Sequence, residues 1–185
     1  MHFVELEIPG VIRIEPRVFG DARGYFVETY HAERYGAHGI PTRFVQDNES
    51  FSKRGILRGL HAQSPFAQGK LVRTLRGEIF DVVVDARLGS PAFGRWLGVR
   101  LTSENFHQLY VPPGCLHGFC VVSEVAQVEY KCTELYHPEA EFCVRWDDPE
   151  IGVAWPIAEP LVSEKDARAA RLSEVRARLI PFQPG

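Results

Sequence analysis

From Val11 to Trp146 the chain alternates between short runs rich in Val, Ile, Phe and Tyr and breaks made by Gly, Pro, Asp or Asn. The runs include "GYFVETY", "GKLVRTL", "EIFDVVVDA", "RWLGVRLT", "HQLYVP", "GFCVV" and "QVEYKCTEL". β-Branched and aromatic residues bounded by turn formers mark strands. The runs recur roughly every ten residues, which leaves little room for crossover helices, so the pattern predicts an all-β antiparallel sandwich or barrel, a jelly roll, rather than a βαβ fold. Strict alternation in "AQVEYKCTEL" puts Tyr130 on the same face as Val128 and Cys132, hence inward.

Two segments depart from the period of two. "HAERYG", from His31, is a short helical piece. In "SEKDARAARLSEVRARL", Ser163 and Asp166 have capping-box spacing, and Leu172, Val175 and Leu179 recur on one helical face, which predicts a short C-terminal helix. No repeat, low-complexity tract or linker interrupts the chain, and 185 residues suffice for one core. The expectation is a single domain over residues 1–185, with a β core and N-terminal extension at 1–162 and a C-terminal helix and tail at 163–185.

Composition narrows the function classes only modestly. A formal net charge of −3 favours neither nucleic acid nor a membrane surface. The N-terminus lacks a basic stretch leading into a sustained apolar run, and no run has the length of a membrane span. Cys115, Cys120, Cys132 and Cys143 form no CxxC pair and sit in apolar segments, where free cysteine behaves as a small hydrophobe. These features point to a reducing compartment, the cytoplasm.

The candidate chemistry centres on "RGLHAQ" and the following "QGKLVR". A histidine in a strand-lined interior is either a satisfied core residue or an acid/base group, so His61 alone leaves both readings open. Lys70 opens its strand, a place where lysine usually meets solvent. Alternation sends Arg58 and His61 to opposite faces, so both reach one pocket only if the strand carries a bulge, with Gly59 the natural position. His117, after a Pro-Pro-Gly turn, is a second strand histidine, but three or four ligands are needed for a metal. Position 63 is Gln, and His2, His31, His38, His107 and His137 lie in segments that read as loops or ends. A bound catalytic metal is therefore not expected, and there is no Gly-rich dinucleotide loop.

"GDARGYFVETY", "FVQDNES", "LRGLHAQ", "QGKLVRTLRGEIFDVVVD", "SPAFGRW", "PPGCLHGF", "VEYKCTELY", "WDDPEIGVAWP" and "SEKD", collinear from about Pro9 to Asp166, resemble the dTDP-4-dehydrorhamnose 3,5-epimerase family. The resemblance implies a cupin-type jelly roll and a cofactor-free, metal-free homodimer. Its substrate would be dTDP-4-dehydro-6-deoxy-D-glucose, inverted at carbons 3 and 5. By that resemblance His61 would be the general base, Asp166 its orienting partner, and Tyr130 the acid on the other face of the sugar. Lys70 would sit near the carbon-4 carbonyl. Arg23, Glu28, Gln46, Asn48, Arg58, His117, Glu141 and Lys165 would hold the nucleotide sugar. Ala62 and Cys115 stand where the family usually carries aromatic residues, and smaller side chains there would widen the pocket. The alternatives are a single-position epimerase of another dTDP-4-keto-deoxysugar, a metal-dependent cupin oxygenase and a non-catalytic sugar-binding protein.

Overall fold

The structure, a computed structural model, describes residues 1–183, so positions 184 and 185 of the expected 163–185 tail lie outside the described residues. In chain order the elements are β1 (His2–Glu5), β2 (Ile12–Glu15), β3 (Val18–Asp21), β4 (Gly24–Val27), α1 (Ala32–Gly36), β5 (Gln46–Lys53), β6 (Leu57–Gln63), β7 (Lys70–Arg76) and β8 (Glu78–Asp85). They continue with β9 (Trp96–Thr102), β10 (Gln108–Val111), β11 (Cys115–Val121), β12 (Val125–Cys132), β13 (Glu141–Cys143), α2 (Glu164–Ala167) and a 3₁₀ helix at Leu172–Arg178. One sheet has the order β1-β2-β10-β7-β12-β5, the facing sheet the order β13-β6-β11-β8-β9, and β3-β4 form a separate ribbon. Pairing within the sheets is antiparallel. This is the antiparallel jelly roll the spacing of the runs predicts.

Packing follows from which face each residue takes. Val72, Ile79, Val83, Leu101, Leu109, Phe119, Val121 and Val128 fill the space between the two sheets. The outer face of the five-stranded sheet is covered as well: Leu60, Val82, Val84 and Leu116 pack against Val144, Ile151, Leu172 and Leu179. That double coverage explains why "EIFDVVVD" of β8 reads as a nearly continuous apolar run, since both of its faces leave water. On the six-stranded sheet, Ile12, Ile14, Leu71 and Tyr110 bury Tyr35 and Ile40. Tyr35 lies on α1, whose N-cap His31 accepts a hydrogen bond from the Arg34 N–H.

The C-terminal helix is short. Ser163 caps it, accepting a hydrogen bond from the Asp166 N–H at 3.1 Å. The helical run then breaks: Ala170 forms a parallel bridge with Val144 before the 3₁₀ helix begins. Leu172 and Leu179 are nonetheless buried, with Val175 packed beside them. The short C-terminal helix that the pattern predicts is present, and a sheet edge separates it from the 3₁₀ helix that carries the rest of the periodic stretch.

Candidate active site

Between the sheets, the apolar filling gives way at one end to a cavity of about 730 Å³, within the range of small-molecule sites. The side chains pointing into it are set by strand register. In β6 and β11, His61 pairs with His117 and Arg58 with Phe119, so three steps on one strand match two on the other. The extra residue is a bulge at Gly59–Leu60, and it brings Arg58 and His61 to the same face. Gly59 has φ +121°, and a Cβ there would lie 2.6 Å from the Cα of Gly118 and 2.8 Å from the His117 carbonyl oxygen. No other residue type fits. Across the cavity, β12 pairs Tyr130 with Asn48 and Cys132 with Gln46 of β5, and Cys132 with Lys70 of β7. These alternate positions share the inward face with buried Val72 and Val128.

The cavity is therefore lined from one sheet by Arg58, His61 and His117 and from the other by Gln46, Asn48, Lys70 and Tyr130, with Glu141, Lys165 and Asp166 at its side. Ten of the twelve predicted site residues converge there. Arg23 and Glu28 do not line the cavity of their own chain. Arg23, at the tip of the β3-β4 ribbon, has a side chain 90% exposed and paired with Asp21, and Glu28 pairs with Arg34. Ala62 lines the cavity, as expected from its place beside His61. Cys115 does not; it is buried in the core, close to the Asp85–Arg87 ion pair.

His61 Nε2 lies 2.6 Å from Asp166 Oδ1, and the aspartate side chain is only 4% exposed. Burial is the largest single influence on the imidazole and pulls its pKa down. The hydrogen bonds and charges of Asp166 and Cys143 together outweigh it and raise the value to about 9. Burial pushes the Asp166 carboxyl up, but its bonds to His61, the Ser163 cap and the Gly59 N–H win and lower it. Asp166 thus holds His61 rather than closing the capping box. Lys70 is pulled below the usual ammonium range, chiefly by burial, with Cys132, Glu141 and Cys115 acting the other way. Burial likewise raises the Tyr130 phenol. His117 Nε2 is 2.8 Å from the fully buried Asp81, which fixes its ring.

At the mouth, Lys165 and Tyr136 both bond to Glu141 Oε2, and the Tyr136 N–H donates to Gln46 Oε1 at 2.8 Å. Gln68, Gln63 and Tyr136 line the cavity without having been singled out in the sequence. Gln63, two residues beyond His61 on β6, was within reach of the period-of-two argument, whereas Tyr136 lies in the loop after β12, where alternation gives no signal. Among the described residues one cluster has metal-ligand spacing: His61, Cys143 and Asp166, whose ligand atoms lie within 4.8 Å of one another.

Fold and cavity together define a cupin-type jelly-roll protein whose polar interior sets ionisable side chains of one sheet opposite those of the other. The dTDP-4-dehydrorhamnose 3,5-epimerase family profile matches residues 5–174, and the chain belongs to that family. It is 52% identical over 176 residues to the dTDP-4-dehydrorhamnose 3,5-epimerase of Pseudomonas aeruginosa, covering 94% of this chain and 97% of that one. A crystal structure of dTDP-6-deoxy-D-glucose-3,5-epimerase from Legionella pneumophila in complex with dTDP-4-keto-L-rhamnose superposes with a TM-score of 0.95. That protein is 48% identical, and the match covers 98% of each chain. A dTDP-4-dehydrorhamnose 3-epimerase from Streptomyces niveus is 42% identical over 184 residues, covering 98% of this chain and 89% of that one.

Proposed function

We propose that this protein is a dTDP-4-dehydrorhamnose 3,5-epimerase, inverting carbons 3 and 5 of dTDP-4-dehydro-6-deoxy-D-glucose. The observation that carries the reading is the opposition of His61, held by Asp166 on one sheet, to Lys70 and Tyr130 on the other. A proton alpha to a ketone becomes acidic when the charge developing on the carbonyl oxygen is stabilised, and a buried ammonium is preorganised for that. Lys70 takes this role. Neutral His61 removes the proton from one face, and the Tyr130 phenol returns one to the other face of the enolate. Arg58, His117, Gln46, Asn48, Glu141 and Lys165 bind the nucleotide sugar. The sequence needs neither metal nor organic cofactor for these steps, and activity should survive a strong chelator.

The active unit in this reading is a cytoplasmic homodimer. In support, no helix among the described residues is long and apolar enough to cross a membrane, and Cys115, Cys120 and Cys132 are free and buried, which suits a reducing compartment. The β3-β4 ribbon exposes Phe19, Tyr25 and Phe26 beside Arg23, and a second copy gives both the apolar face and the cation a use.

Proton exchange in deuterium oxide, followed by NMR at carbons 3 and 5 separately, tests the chemistry. His61→Asn should abolish deuterium uptake and inversion together, because no enolate forms. Tyr130→Phe should still exchange but invert slowly. Wild-type exchange at one carbon only would assign a single-position epimerase, and near-normal exchange in His61→Asn would remove His61 as the base.

A further inference from the structure

Cys143 neither takes nor gives the substrate proton in the proposed reaction, yet it does not sit in the apolar core where the other three cysteines lie. It occupies the last position of β13, directly opposite His61 in register, so both side chains rise from the same face of the sheet. Asp166 reaches the same point from α2, held by the Ser163 cap. Three elements thus bring one nitrogen, one sulfur and one oxygen to within 4.8 Å of one another, and His61 Nε2 and Asp166 Oδ1, 2.6 Å apart across their hydrogen bond, need to part by only about 0.7 Å to share a tetrahedral ion with ligand bonds of about 2.0 Å.

We infer that His61, Cys143 and Asp166 form an inhibitory binding site for a thiophilic divalent ion of the zinc type. The donor set decides the class of ion. Calcium and magnesium take oxygen ligands, whereas imidazole, thiolate and carboxylate together suit zinc. Three protein ligands leave a fourth tetrahedral position, and the His61 side chain, 30% exposed toward the cavity, gives the ion a way in and water a place to complete the shell. The ion takes the place of the proton between His61 and Asp166 and of the Cys143 thiol proton, both of which pass to water. The imidazole lone pair then points at the metal instead of the sugar. Binding itself is independent of the functional reading; its inhibitory effect rests on that reading.

The test is titration of the full-length protein with cobalt(II) alone and zinc alone, by absorption spectroscopy and calorimetry. One ion per chain is expected, with a thiolate-to-cobalt charge-transfer band that zinc displaces. Cys143→Ser and Cys143→Ala should each remove the band and weaken zinc binding by at least about tenfold, the lower end of what even indirect ligand support is worth. Melting curves of both variants report whether they are folded. Zinc should stop substrate deuterium exchange, and a chelator should restore it. Absence of the band, binding unchanged in both folded variants, or faster turnover with zinc would each overturn the proposal. Zinc held through Cys143 in a chain that epimerises no dTDP-4-keto sugar would leave the site standing and remove its inhibitory role together with the functional reading.

Discussion

His61 answers to two opposed demands. The Asp166 carboxylate orients the ring and also holds its proton, and the resulting pKa of about 9 means that the free protein at neutral pH carries mostly imidazolium there. As the proposed general base His61 must be neutral to act, so kcat/KM should climb with pH on a limb whose midpoint reports this group, near pH 9. Asp166→Asn removes the charge that favours the imidazolium, so the limb should move to lower pH while the maximal rate falls through misorientation. A limb unmoved by Asp166→Asn would assign it to another group. The stability sign runs the other way. A histidine whose folded pKa lies above 6.5 contributes stability in full below pH 6.5 and loses it as the pH rises through about 9. The pair therefore favours folding most where it favours proton abstraction least.

Among the elements, β6 decides the site. Its bulge lets Arg58 and His61 share a face, and it exists because Gly59 and Gly118 let two backbones approach closely: a Cβ on Gly118 would come within 2.7 Å of the Arg58 carbonyl oxygen. Gly59→Ala should cost at least about 1–3 kcal/mol through its positive φ alone, more with the steric overlap. It should also depress kcat beyond what the loss of folded protein explains, measured as a thermal shift beside activity per folded chain. Wild-type melting and turnover in that variant would remove the bulge from the explanation. Strands were legible in the sequence because the period of two and the turn residues are local signals. Tyr130 facing inward followed directly from them, and Gly59 was identified from the parity conflict alone. What was not legible depends on contacts between elements. The break in the C-terminal helix needs the Val144 edge, and the separation of Cys143 from the other cysteines needs its register against His61. In hydropathy alone, "EFCVRW" shows only a small apolar residue between Phe142 and Val144.

At the scale of the whole molecule, Arg23 and Glu28 stand apart from the cavity they are expected to serve, Arg23 on a ribbon whose Phe26 is 69% exposed and Glu28 just past its end. Strand β5, which carries Gln46 and Asn48 into the cavity, is one of the two edges of its sheet and presents Phe51 on its outer side. Edges and apolar ribbons of this kind are usually covered. Sedimentation at micromolar concentration should give about twice the 20.9 kDa chain mass, and Phe26→Asp should shift the protein toward the single-chain mass and raise KM. A wild-type protein that sediments as one chain would leave Arg23 without a role in binding.

The cavity has one more consequence. It occupies space that the rest of the sandwich fills with valine and leucine, and its walls belong to both sheets. In the proposed reading the nucleotide sugar fills this space and packs against both sheets. A ligand that binds only the folded chain stabilises it by about 2.7 kcal/mol at a hundred times its dissociation constant, or roughly 5–10 °C in melting temperature for a chain of this length. dTDP alone should give much of that rise in a melting curve, and no rise at saturation would separate the nucleotide from this cavity. In a cell, the same coupling should make the amount of protein that escapes proteolysis follow the supply of its own substrate, which pulse-chase turnover with and without that supply would check.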